Sequence, residues 1–226
     1  MRMYITVAAF VLFTVNANAQ NLYGATLHFT HQWKSEPLVL DHPYPIAADS
    51  ITISQLKYYI SNIEFFEGET IVWAEPNSYH LIDCSKDNST QIRLIIPDKL
   101  KFSKIGFLLG VDSLTQSGGV KGADLDPTKG MYWTWQSGYI HFKMEGSCQT
   151  CKTADKAFHY HIGGYSHPYN TIRRHNLNTE RGKNIELRMD VSKILSEPFS
   201  EETYRLMSPS AKAVEMGKII RFSITD

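Results

Sequence analysis

The feature that most constrains this chain is a run of short β-rich segments between turn residues, with no helix-length periodic stretch separating them. Ile51–Phe66 is rich in β-branched and aromatic residues, and Glu67-Gly68 followed by Glu69–Trp73 marks a hairpin. Tyr79–Asp83, Gln91–Ile96 and Ile105–Val111 follow, bounded by Asn77, Asn88, Pro97 and Gly110. A parallel α/β sheet needs crossover helices between its strands, so this spacing predicts an all-β fold, an antiparallel β-sandwich with long loops. Further strands are expected at Ala25–His31, Tyr139–Glu145, Ile185–Val191 and Lys218–Thr225. Two short helices are expected near the C-terminus, Ser200–Met207 and Pro209–Met216. The second has Ser208 as N-cap, Pro209 at the first helical position and Gly217 after its end.

The first 19 residues read as a secretory signal peptide, with Arg2 near the start, an apolar run from Tyr4 to Val15 and a small-residue Ala17-Asn18-Ala19 cleavage site. The expected mature chain, 20–226, is then a single domain in the periplasm or outside the cell. No stretch approaches the about 20 apolar residues of a membrane-spanning helix, so no membrane insertion is expected. Lysine plus arginine equals aspartate plus glutamate at 23 each, without a block of like charge, and nothing points to nucleic acid or anionic lipid as a partner. Gly-x-Ser-x-Gly, Walker and dinucleotide motifs are absent from the sequence, which leaves nucleophilic hydrolysis and nucleotide use without support.

Nine histidines are the unusual count. In Ala25–His31 one face reads Ala25, Leu27, Phe29, His31 and the other Thr26, His28, Thr30, so His31 faces the core at a strand end and His28 is solvated. A partly buried histidine alone is a structural residue more often than a ligand. His159 and His161 share a face in Phe158–Tyr165, beside the pair Gly163-Gly164. Alternation over Tyr139–Glu145 puts Ile140, Phe142 and Met144 inside and His141 on the surface.

Gly130-Met131-Tyr132-Trp133-Thr134-Trp135-Gln136-Ser137-Gly138-Tyr139 places two tryptophans two positions apart. In an extended chain Trp133 and Trp135 stand side by side, either as a core strand or as part of a metal site. The preceding loop, Asp112–Gly130, carries Asp124-Leu125-Asp126 but not the dense oxygen ligands of a calcium loop, and is expected to brace this strand through Asx turns. Cys148 and Cys151 are expected to form a local disulfide in an exported protein, with a metal site or free thiols as the other readings. Cys84 is left as a small buried side chain.

Taken together, Leu27–His31, Tyr58–Ile63, Gly110–Ser113, Leu125–Pro127, Met131–Tyr139 and Tyr160–Gly164 resemble the MbnP-like family of exported copper-binding proteins. The resemblance implies that Trp133 is oxidised to kynurenine by a partner similar to a diheme cytochrome c peroxidase, making this chain the substrate of that reaction and not an enzyme. It also implies one copper(I) held by the product and two histidines, His31 and His161, with His159 as the competitor for the second. Met131 and Met144 are further soft donors, and Met144 falls on the core face. The alternatives are an adhesion or carbohydrate-binding sandwich with a Trp133, Trp135 and Tyr139 platform, and a metal-dependent enzyme using Asp112 or Asp126 as base.

Overall fold

The computed structural model describes residues 22–46, 49–135, 138–179, 182, 184–195 and 204–225. The expected signal peptide lies outside these residues, as do Gln136 and Ser137. In chain order the strands are β1 (Leu22–Trp33), β2 (Glu36–Pro37), β3 (Pro43–Ile46), β4 (Asp49–Glu67), β5 (Thr70–Ala74), β6 (Tyr79–Asp83), β7 (Gln91–Pro97) and β8 (Lys104–Leu109). The short helix α1 (Ser113–Ser117) precedes β9 (Tyr132–Trp133), β10 (Gly138–Cys148), β11 (Ala157–Gly163), β12 (Arg173–Asn178), β13 (Asn184–Asp190) and β14 (Arg205–Leu206). Helix α2 (Ala211–Ile219) and β15 (Ser223–Thr225) close the chain.

The strands form two sheets, the smaller built on β1 and the larger on β4. In the smaller sheet β1 lies between β13 on one edge and β7 with β2 on the other. The larger sheet runs β12-β8-β4-β10-β11-β14, with β3, β5 and β6 also on β4 and β9 on β10. The all-β sandwich-like expectation holds, although its pairing is mixed: β1 runs parallel to β13, and β11 parallel to β14. Parallel pairing requires a long return path, here spanning nearly the whole chain between β1 and β13, which local strand patterns do not reveal.

The main core lies between the sheets. Leu27 and Phe29 of β1 and Leu187 and Met189 of β13 meet Leu56 and Tyr58 of β4, Phe142 and Met144 of β10, and Phe158, Tyr160 and Ile162 of β11. Each such side chain contributes on the order of 1.5–3 kcal/mol when fully buried. A second apolar cluster covers the opposite, outer face of the larger sheet: Tyr59, Leu81, Val111, Leu125, Met131, Trp133, Tyr139 and Ile140. Tyr58 and Tyr59, adjacent in β4, enter the two clusters separately, as a period of two requires. The 112–130 segment supplies the cover with α1 and two 3-10 turns; Asp112 caps α1 and Asp126 the second turn, accepting from the Thr115 and Thr128 backbone N–H groups.

Three local expectations are corrected. The described end of the expected Ser200–Met207 helix holds the strand β14 instead. The second helix begins two residues later than expected, at Ala211, because Ser210 and not Ser208 accepts the Ala213 N–H as N-cap, and it runs past Gly217 to Ile219. His141 is 1% exposed and not on the surface, because a bulge between Ile140 and Phe142 breaks the alternation, puts Tyr139 and Ile140 together in the outer cluster and leaves His141 enclosed by Gln116, Gly110 and Thr171. Its ring sits between Thr171 Oγ1, 3.0 Å from Nδ1, and the Gln116 amide at Nε2, and burial pushes its pKa down to about 3.

Candidate metal centre

His31 lies on β1 with its ring directed between the sheets. Its Nε2 shares a 2.8 Å hydrogen bond with the Tyr58 hydroxyl, and Cys84 Sγ lies 3.4 and 3.5 Å from its two ring nitrogens. Burial lowers the pKa of His31 to about 4 and raises that of the Cys84 thiol, so both are neutral at ordinary pH. The sequence placed Cys84 near the core and gave no sign that it would meet His31.

Trp133 lies on the other side of the larger sheet. It is 5% exposed, and a Cβ built on Gly163 would come within 2.7 Å of Trp133 Cζ3 and 2.8 Å of Cη2. The benzene edge of the indole therefore rests on Gly163, a seat that only glycine provides without displacement. The indole Nε1 is buried without a hydrogen-bond partner, a condition it shares with Trp33. Trp133 also borders a surface recess with Tyr165, His167 and Tyr169. Trp135 does not stand beside it in a strand: β9 ends at Trp133, the chain turns, and Trp135 is 66% exposed with its ring 6.0 Å from that of Trp133. The platform of exposed rings that the alternative, sugar-binding reading requires is not formed, since Tyr139 is buried with Trp133.

His161 shares the outer face with Trp133. In β11, Phe158, Tyr160 and Ile162 point into the main core, so His159, His161 and Gly163 point outward. Glu145 of β10 pairs directly with His159, and His161 is its diagonal neighbour across the ladder. Glu145 Oε1 lies 2.6 Å from His161 Nε2 and 3.6 Å from His159 Nδ1. The hydrogen bond from His161 is the chief reason that the Glu145 pKa falls to about 2, with Lys143 Nζ, 3.3 Å away, adding to it. Glu145 is thus a carboxylate at neutral pH.

The expected set of His31, Trp133 and His161 therefore divides. Trp133 on β9 and His161 on β11, two strands that each pair with β10, face outward, while His31 faces inward toward Tyr58, with the larger sheet between them. Nitrogen–metal bonds of about 2 Å leave no way for one ion to span a sheet. Of the two competing histidines on β11, both face the Trp133 side. Glu145 was missed by the sequence reading. The signal that reveals it is the hairpin register about the Cys148–Cys151 turn, which places Glu145 opposite His159. The two cysteines form the expected disulfide, and Cys84 is the remaining free thiol. Met131 and Met144 are fully buried, in the outer cluster and the main core respectively. Asp112 and Asp126 are committed to their capping bonds, and the Asp112 carboxylate also accepts from the Tyr79 hydroxyl at 2.6 Å.

The MbnP family model matches residues 23–210. The fold is similar to that of the solved MbnP from Methylosinus trichosporium, with a TM-score of 0.58 and 14% sequence identity, covering 86% of this chain and 87% of that one. No curated protein matches the chain in sequence.

Proposed function

This chain belongs to the MbnP family, and from that premise we propose that it is an exported copper(I)-binding protein, periplasmic or extracellular, serving copper acquisition or homeostasis. The observation that carries the reading is the placement of Trp133 and His161 on one face of the larger sheet, joined across Gly163. An intact indole has an N–H donor and no lone pair for a metal, so Trp133 becomes a ligand only after its ring is opened to an aromatic amine. A partner resembling a diheme cytochrome c peroxidase carries out that oxidation. The indole C2–C3 bond breaks, two equivalents of peroxide supply the two oxygen atoms and are reduced to water, and hydrolysis releases C2 as formate to leave kynurenine.

Copper(I) accepts two or three nitrogen ligands, and the candidate donors on this face are the amine derived from Trp133, His161 and, in place of His31, His159. The recess beside Trp133 gives an outside reagent an approach to the otherwise buried ring. The protein acts as substrate and carrier and needs no general base, in keeping with the structural use of Asp112 and Asp126. The buried rings of Trp133 and Tyr139 speak against a sugar platform.

The test is a copper(I) competition titration of protein made with and without the oxidising partner, with peptide mapping of residues 131–139 for kynurenine. Modified protein is expected to bind one copper(I) tightly, and unmodified protein or Trp133→Phe weakly. Equal affinity in all three would remove Trp133 from the site.

A further inference from the structure

We infer that Glu145, His159 and His161 form a second kind of site, one for a divalent transition ion of the zinc(II) or copper(II) type, which is complete while Trp133 is still intact. The inference rests on the placement of the outer-face histidines and not on the copper(I) reading. Among the described residues these three form a group whose ligand atoms all lie within 4.8 Å of one another. They come from adjacent strands of one hairpin, a directly opposed pair and its diagonal neighbour, so the backbone holds their convergence before any ion arrives.

The distances match what an ion asks for. Nitrogen and oxygen ligands at about 2.0–2.2 Å from a tetrahedral zinc stand about 3.4 Å apart. The Glu145–His159 separation of 3.6 Å is already close to that value, and the Glu145–His161 contact of 2.6 Å needs to open by less than the width of an atom. Small side-chain rotations achieve this without moving either strand. Both the His159 and Glu145 side chains are partly exposed, so an ion has a path in, and solvent has one to the remaining coordination position.

The chemistry of the set selects charge. Two imidazoles are borderline donors and a carboxylate is a hard one, a combination that suits zinc(II) and copper(II), whereas copper(I) gains little from the oxygen. The carboxylate also offsets part of a double positive charge. In the structure Lys143 Nζ takes up that role, 3.3 Å from Glu145 Oε1 and 3.4 Å from the Gly130 carbonyl oxygen, so an incoming ion displaces the ammonium from the carboxylate. Arg205, beside His159 on β14, is turned toward Asp155 at 3.7 Å and does not hold Glu145.

Untagged full chain, made without an oxidising partner so that Trp133 stays intact, is titrated with zinc(II) and, separately, copper(II) against a chromophoric chelator. One equivalent of each is expected, copper(II) the tighter. Glu145→Gln, His159→Ala and His161→Ala should each weaken zinc(II) by at least about tenfold, while Trp133→Phe and His31→Ala leave it unchanged. Lys143→Met should tighten zinc(II), because the competing cation is gone, and a purely structural Glu145 cannot produce that gain. Thermal melts of each variant verify folding. No zinc(II) binding by the parent chain, or an unchanged affinity in both Glu145→Gln and Lys143→Met, overturns the inference. The two readings fail separately: this one is measured on unmodified protein, and the copper(I) reading requires the Trp133 product.

Discussion

On the inner face of the larger sheet His31 meets a tyrosine hydroxyl and a thiol in an apolar core, whereas on the outer face His159 and His161 meet a carboxylate at a partly exposed surface. The residue type is the same and the chemistry is opposite. Burial without a charge partner keeps an imidazole neutral and makes it a packing and hydrogen-bonding element. A carboxylate held as an anion beside two imidazoles makes a cation site. The difference comes from which side of a strand each residue occupies, and β4 shows how sharply one sheet separates the two, with Tyr58 and Tyr59 entering different clusters.

The largest expected effect is of pH, and it exposes the cost of neutral buried histidines. Burial brings the pKa of His141 to about 3 and of His175 to about 4 in the folded chain, against about 6.5 unfolded. Because these folded values are depressed, the unfolded chain binds protons that the native state refuses below about pH 6.5. Stability is therefore fully present above that pH and falls as pH drops through the window down to 4 or 3. At pH 5 each of the two rings costs about 2 kcal/mol, and His31, with its pKa also at about 4, a similar amount. Urea unfolding at pH 7 and pH 5 measures the sum, and His141→Gln should shrink the difference. Equal stability at the two pH values would mean that these rings protonate without unfolding, and the contrast between buried neutral imidazoles and the carboxylate-paired ones would lose its first half.

The next effect is on the outer face alone. A Cβ at Gly163 would stand 2.7 Å from Trp133 Cζ3 and 2.8 Å from the Tyr139 carbonyl oxygen, so Gly163→Ala must displace the indole or the backbone. Overpacking of this kind costs about 1–3 kcal/mol. The variant should shift tryptophan emission and weaken copper(I) binding by partner-treated protein. Zinc(II) binding through Glu145 and His159 should change less, because those residues lie nearer the other end of the hairpin. Unaltered emission and copper(I) affinity would show that Trp133 does not depend on this seat.

How much of this was legible in the sequence follows the range of the forces involved. Alternation within one strand is local, so the facing of Leu27, Phe29 and His31 toward the core and the shared face of His159 and His161 could be read directly. The strand-rich class and the Cys148–Cys151 link were legible for the same reason. What depended on pairing was not. The bulge that buries His141, the turn that parts Trp135 from Trp133, and the parallel approach of β13 to β1 arise from contacts between distant segments. The expected trio failed at this point: each face was assignable within its own strand, but whether two strands present those faces to each other is a property of the sheet stack.

The smallest effect gives the sharpest separation of the faces. Tyr58→Phe removes the hydroxyl that shares the 2.8 Å bond with His31 and leaves the ring in place among Phe29, Phe142 and Phe222. A single intramolecular hydrogen bond contributes about 0.5–1.5 kcal/mol net, and His31 would be left short of one partner in a largely apolar setting, so a loss of about 1 kcal/mol in urea unfolding is expected. Neither copper(I) affinity of the modified protein nor zinc(II) affinity of the unmodified one should move, since the larger sheet stands between Tyr58 and the outer site. His31→Ala should behave alike, losing stability and keeping both affinities. If instead either variant weakened copper(I) as much as His161→Ala does, His31 would have to reach the metal through a rearrangement of the sheets, and the division of histidines by face would give way to a site that forms only when the sandwich opens.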